Sequence, residues 1–110
     1  MPTTFKNSVN SGIGTTPVDL VSTPEGFRIT VIGCNLANVT DYDTVNVDVL
    51  VVDESSNAAH YVKGITVPPN SAVKVVTNGE KLILPEGQIL RIVSDTADSI
   101  DATVSFVEIS

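Results

Sequence analysis

Apolar and polar side chains alternate along most of this chain, and that alternation predicts β-strands. The clearest case is 45–52, where valine occupies every second position from Val45 to Val51 and the first half keeps polar residues between the valines. By contrast, no window of 11 residues carries the apolar stripe of an amphipathic helix. The pattern and its interruptions predict eight strands, at 15–21, 27–36, 45–52, 59–66, 72–77, 81–84, 88–94 and 101–109.

Turn-forming residues separate these strands. Thr23 to Gly26 predicts a turn with proline in its second place and glycine in its fourth, and 53–57 predicts the turn of a hairpin. Asn78-Gly79 is the strongest short hairpin signal, because both residue types tolerate positive φ. The strand at 27–36 is apolar on both faces, which predicts a central position in a sheet. Strands at this spacing predict an all-β, single-domain β-sandwich of about eight antiparallel strands, jelly-roll or Ig-like.

Composition supports the same fold class. Eighteen Val, nine Ile and twelve Thr make 39 of the 110 residues β-branched, and such side chains favour a pleated sheet over a helix. The apolar fraction of 42% is far above that of a disordered chain, so one hydrophobic core is expected. The alternation assigns eight side chains to that core: Ile29, Val31, Val47, Val49, Ile83, Leu90, Ile92 and Val104.

The first 14 residues differ from the rest of the chain, because their apolar residues are few and isolated. We therefore predict an N-terminal arm at 1–14 and a β-sandwich domain at 15–110. Glycines on both sides of Ile13 give the arm a hinge. Phe5 and Val9, four residues apart, together with Ile13, are the predicted partner-binding residues. Exposed strand edges and this arm together predict a symmetric oligomer.

Charge and hydropathy exclude several classes of partner. The net charge is −7, with 13 acidic residues against six basic ones, so the phosphate backbone of a nucleic acid or an anionic membrane surface would be repelled. The longest apolar run has four residues, which is too short to span a bilayer. The first residues lack the pattern of a secretion signal, which predicts synthesis and maturation in the cytoplasm.

Candidate catalytic residues are few. His60 is the only histidine, so a histidine-based triad or metal site would depend on it, and its place beside a turn predicts an exposed surface side chain. Cys34 is the only cysteine and lies between Ile32 and Leu36, which predicts a buried, unreactive thiol. We predict no catalytic residue, no cofactor and no metal ligand, and therefore no enzyme.

Acidic residues cluster around two loops. Neither cluster has the spacing of a calcium loop, so solvated loop charges are predicted. The two acidic groups are Asp41, Asp43 and Asp48, and Asp95, Asp98 and Asp101.

Asn38-Val39-Thr40 matches a glycosylation acceptor, a short pattern that arises by chance. With no Trp, two Tyr and three Phe, the chain has few rings to stack on sugars.

The order of several segments resembles small virion structural proteins of tailed bacteriophages, some of which are head decoration (cement) proteins. The resemblance runs from about Phe27 to the C-terminus; Gln88 departs from it, where an aspartate often follows the glycine. It rests on the apolar strand that ends in 32–38, the valine strand 45–52, the segment 67–71, the hairpin 81–90 and the closing strand 105–109.

This resemblance implies a non-enzymatic capsid decoration protein on the surface of a virion. Its implied partner is the major capsid protein or another virion protein, and its implied oligomer is a homotrimer. Two alternatives stay open: a neck, tail or baseplate component, and a receptor- or glycan-binding β-sandwich module that uses polar loops.

Overall fold

The computed structural model describes residues 3–76 and 81–110, and all of its regular elements are strands. The predicted Asn78-Gly79 turn lies outside the described residues. Eight of the nine strands match the predicted ones within a few residues. The strands are β1 (Thr3–Ile13), β2 (Val18–Ser22), β3 (Arg28–Asn38), β4 (Val45–Val52), β5 (Ala58–Val67), β6 (Ala72–Val76), β7 (Leu82–Leu84), β8 (Ile89–Ser94) and β9 (Ile100–Ile109).

The strands form two antiparallel sheets, which confirms the predicted all-β sandwich. The first sheet has the order β1-β9-β3-β6, with β7 also paired to β3, and the second has the order β2-β8-β4-β5. Most connections cross from one sheet to the other, as in a jelly roll. The strand predicted to be central is β3, which pairs with β9 on one side and with β6 and β7 on the other.

The core lies between the sheets and consists almost entirely of branched aliphatic side chains. Seven of the eight predicted core residues are buried there, each no more than 1% exposed. The assignment of Ile83 to the core is wrong: its side chain is 62% exposed, and its neighbour Leu84 is fully buried instead. Strand β7 has three residues, too few for the alternation to show which side chain points inward.

The predicted N-terminal arm lies in the first sheet. Strand β1 pairs with β9 in continuous register from Thr3 to Asn10, and the register shifts only before Ile13. From Thr4 to Asn10, its side chains that face the second sheet are polar, and the Ser8 hydroxyl donates to the Leu20 carbonyl at 2.9 Å. Because those positions carry no apolar residues, alternation could not identify this strand. The domain boundary at residue 14 stays a prediction.

Two Pro-Glu-Gly turns lie side by side at one end of the sandwich. The Phe27 amide donates to the Pro24 carbonyl at 3.1 Å, and the Gln88 amide donates to the Pro85 carbonyl at 3.0 Å. The glycine in the third place of each turn has φ of +82° or +83°, which other residues adopt only with strain. The first turn therefore begins one residue later than predicted.

Candidate binding surface

The outer face of the first sheet carries a row of mostly apolar side chains across its strands. In one row Phe5 on β1 lies opposite Val107 on β9, which lies opposite Thr30 on β3, which lies opposite Ile83 on β7. Phe5 is 76% exposed and Ile83 is 62% exposed. A row of this kind presents apolar area on a surface that would otherwise be wet.

A bulge in β3 places a further apolar side chain beside this row. The register between β3 and β9 shifts between Val31 and Gly33, and Ile32 at the shift is 39% exposed. We call Phe5, Ile32, Ile83 and Val107 the outer patch. Two members of the patch, Phe5 and Ile32, line a shallow depression of about 460 Å³, together with Lys6, Asn7, Ser105 and Phe106.

The three predicted partner-binding residues do not share one environment. Val9 lies on the same face as Phe5, opposite Thr103, and is 71% exposed. Ile13 is 2% exposed and packs in the core of this chain, because the register shift before it turns its side chain inward. Phe5 and Val9 are therefore available to a partner, and Ile13 supports the fold. Binding through Phe5 and Val9 stays a prediction.

Charge differs between the outer faces of the two sheets. Arg28 and Lys74 are exposed on the first sheet, in the rows that flank the outer patch, and the acidic residue of that face of β9, Asp101, lies further along the strand. The second sheet carries Asp19, which accepts from Arg91 Nε at 2.7 Å, and Asp48. In a chain of net charge −7, the first sheet is therefore the face better suited to an acidic partner surface.

The single histidine and the single cysteine are not arranged as a catalytic pair. His60 is exposed on β5, with its Nε2 atom 3.6 Å from Asp48 Oδ2. Cys34 is 2% exposed on β3, and burial raises the pKa of its thiol to about 12. Since the thiolate is the nucleophile, such a thiol is unreactive in the folded chain.

Three of the six aspartates around the two acidic loops accept hydrogen bonds from backbone amides. Asp48 accepts from the Gly64 amide at 2.7 Å, Asp101 accepts from the Gly12 amide at 2.9 Å, and Asp95 accepts from the Asn46 amide at 3.1 Å. The bond from Asn46 lowers the pKa of Asp95. Within residues 3–76 and 81–110, no group of three or more His, Cys, Asp or Glu is placed to hold a metal ion.

Asn38 is a structural residue at the end of β3. It is 3% exposed, and its amide nitrogen donates to the Asp43 carbonyl at 2.8 Å and to the Val67 carbonyl at 2.9 Å. Its side-chain oxygen accepts from the amide and the hydroxyl of Thr40. The nitrogen that a glycan would occupy is therefore already bonded inside the folded chain.

Solved structures share this fold at low sequence identity. A chain from the structure "Bacillus endospore appendages form a novel family of disulfide-linked pili" has a TM-score of 0.57 and 9% identity, over 98% of this chain and 88% of that one. A chain from "Acidic stable capsid structure of Helicobacter pylori bacteriophage KHP30" has a TM-score of 0.53 and 11% identity, over 98% and 93%. Neither a protein-family model nor a curated protein matches the sequence.

These likenesses establish a shared fold over nearly the whole chain. Among the residues that the structure describes, no helix is long and apolar enough to cross a membrane. Sequence reasoning predicted Phe5 and Val9 as partner-binding residues, and both are exposed, but it did not predict that Ile32 and Ile83 are exposed. The signal for Ile32 was present, since both faces of its strand are apolar; the signal for Ile83 was not, because its strand is too short.

Proposed function

We propose that this chain is a non-enzymatic virion structural protein, a capsid decoration protein that binds the outer surface of a head shell. The observation that carries the proposal is the outer patch, an open apolar surface with a shallow depression on one face of the sandwich. A surface of that shape suits a protein partner better than a small molecule, which is usually bound in a concave pocket. The fold shared with a chain of a bacteriophage capsid structure supports a capsid shell as the partner.

In this proposal the outer patch supplies apolar contact, and the flanking cations select the partner. Phe5 and Ile83 would be buried against an apolar region of the major capsid protein. Arg28 and Lys74 would meet acidic side chains around that region, which favours the correct docking orientation. The chain would be made in the host cytoplasm and would act on the surface of the virion.

The test is co-sedimentation of the purified chain with virus particles that lack it. The variant Phe5→Ser/Ile83→Ser removes two exposed apolar side chains, so it should fold normally and bind particles much more weakly. Tyr42→Ser is the matched control, because Tyr42 is 92% exposed on a loop away from the outer patch. Equal binding by all three proteins, or binding to tails in place of heads, would contradict the proposal.

The pilus likeness favours a second candidate, a subunit of a homopolymeric fibre. Those pili are disulfide-linked, whereas the one cysteine in this sequence is Cys34, buried in the core. A folded chain could not offer it to a neighbouring subunit. Fibres seen by electron microscopy of the purified chain, unaffected by a reducing agent, would support this candidate over decoration.

A further inference from the structure

Strand β1 is a long sheet edge, and its first eight residues, Thr3 to Asn10, contain no proline and no shift of register. Within the described residues it pairs with β9 alone, and its register with β9 is continuous from Thr3 to Asn10. No proline interrupts it, and its one charged side chain, Lys6, is paired with Glu108 at 2.9 Å. Exposed edges of this kind pair with other strands unless charges, prolines or bulges protect them.

The other edge strands, β2, β5, β6 and the three-residue β7, are short or irregular. Strand β2 has five residues and follows Pro17, and β6 has five residues with Lys74 at its centre. Strand β5 is longer, but its pairing with β4 shifts register twice in the middle of the pair, and Gly64 in it has φ of +67°. The one register shift of β1 and its positive-φ residue, Gly12 at +64°, lie beyond Asn10, at the end of the strand. Among the edges described, β1 is therefore the one open to strand addition.

The sequence of β1 is complementary to itself when it is read in the opposite direction about Asn7. In an antiparallel pair centred there, Phe5 of each copy lies opposite Val9 of the other, on the same outer face. Aromatic side chains opposite β-branched ones are favourable cross-strand pairs. Lys6 lies opposite Ser8, so the two lysines do not meet.

Neighbouring registers lack these matches. Centring the pair on Lys6 would place two lysines directly opposite each other, which is unfavourable. Centring it on Ser8 would place Phe5 opposite Ser11 and lose the apolar pair. In the register centred on Asn7, odd-numbered residues lie opposite odd-numbered ones and even-numbered residues opposite even-numbered ones. The backbone N–H and C=O groups that point away from β9 belong to every second residue of β1, so the groups of the two copies face each other. The two strands would therefore share about eight to ten backbone hydrogen bonds.

From these observations we propose that two copies of this chain pair through their β1 strands, antiparallel and centred on Asn7, about a two-fold axis normal to the sheet. The pair joins the two first sheets into one continuous sheet. Both outer patches then lie on the same face of that sheet, and the central edges are removed. This contact goes beyond the proposed function, because it is expected of the isolated chain in solution. It gives a dimer, whereas the resemblance implies a trimer.

A cysteine placed at the axis tests both the pairing and its register. Asn7→Cys should form a disulfide between copies under mild oxidation, since the two positions are direct neighbours. Val9→Cys is the matched control on the same exposed face, because its two copies would lie about 14 Å apart. The native Cys34 is buried and should stay unmodified in both variants.

Sedimentation velocity measures the association without a cross-link. The chain should show a monomer–dimer equilibrium at concentrations up to about 500 µM. Asn7→Lys, which sets two cations against each other at the axis, should weaken the dimer several-fold, and Asn57→Lys on an exposed turn should not. A chain that stays monomeric, a trimer, or equal cross-linking by Asn7→Cys and Val9→Cys would overturn the proposal.

Discussion

Two isoleucines that the sequence pattern assigns to the core should respond very differently to the same truncation. Ile92 is fully buried on β8, where it lies between Val18 on β2 and Val49 on β4. Ile83 is 62% exposed on β7. Both lie in strands, so replacing each with alanine changes strand propensity similarly, and the difference between them reports burial.

The magnitudes follow from the carbon atoms removed. Ile→Ala deletes three carbons, worth about 2.4 kcal/mol of transfer free energy when fully buried, and a residual cavity adds to this. Ile92→Ala should therefore lower the free energy of unfolding by about 3.5 kcal/mol. Ile83→Ala loses only its covered fraction and should lower it by about 1 kcal/mol or less.

Urea denaturation followed by circular dichroism measures both values. With a slope of about 1.5–2 kcal/mol per molar, the Ile92→Ala midpoint should fall by about 2 M and the Ile83→Ala midpoint by about 0.5 M. Equal shifts, or a larger shift for Ile83→Ala, would refute the assignment of inward and outward side chains in β7 and β8.

Three further predictions concern a turn, a buried amide and the thiol. Gly26→Ala should cost about 1 kcal/mol because φ is +82° there, whereas Gly33→Ala, whose new Cβ would meet nothing closer than 4.0 Å, should be nearly neutral in the same urea assay. Asn38→Ala should lower the free energy of unfolding by about 2–4 kcal/mol, because buried backbone groups lose their hydrogen-bond partners. The exposed control Asn57→Ala should cost less than about 0.5 kcal/mol, and equal thermal midpoints for the two variants would contradict this. Cys34 should resist a thiol reagent at pH 8 until the chain is denatured, and rapid labelling of the native chain would show that the thiol is accessible. The free energy of unfolding should decline from about pH 9, where the thiol of the unfolded chain ionises, towards the folded pKa of about 12.

Strands with one wet face and one dry face were predictable from sequence because burial imposes the alternation. Strand β4 is the example: Val45, Val47 and Val49 are all fully buried. Strand β1 was not predictable, because it lies at the sheet edge, where Lys6 and Ser8 occupy positions that alternation reads as core-facing. Its strand character comes from pairing with β9, a contact between opposite ends of the chain that local sequence does not encode.

The candidate surface was predictable only in part, for a related reason. Isolated apolar residues in a polar segment, such as Phe5 and Val9, stand out in the sequence, and both are exposed. Ile32 and Ile83 are surrounded by other apolar residues, so the sequence does not separate them from the core. Strand pairing brings Ile83 into one row with Phe5 across the sheet, which requires the register of β1, β9, β3 and β7.

Quantitative mass spectrometry of purified virus particles, with heads and tails separated, tests the central claim most directly. If the chain decorates the head shell, it should be recovered with the heads in many copies, in a fixed ratio to the major capsid protein. Recovery only with tails, or absence from particles made in cells that express the chain, would contradict a decoration role.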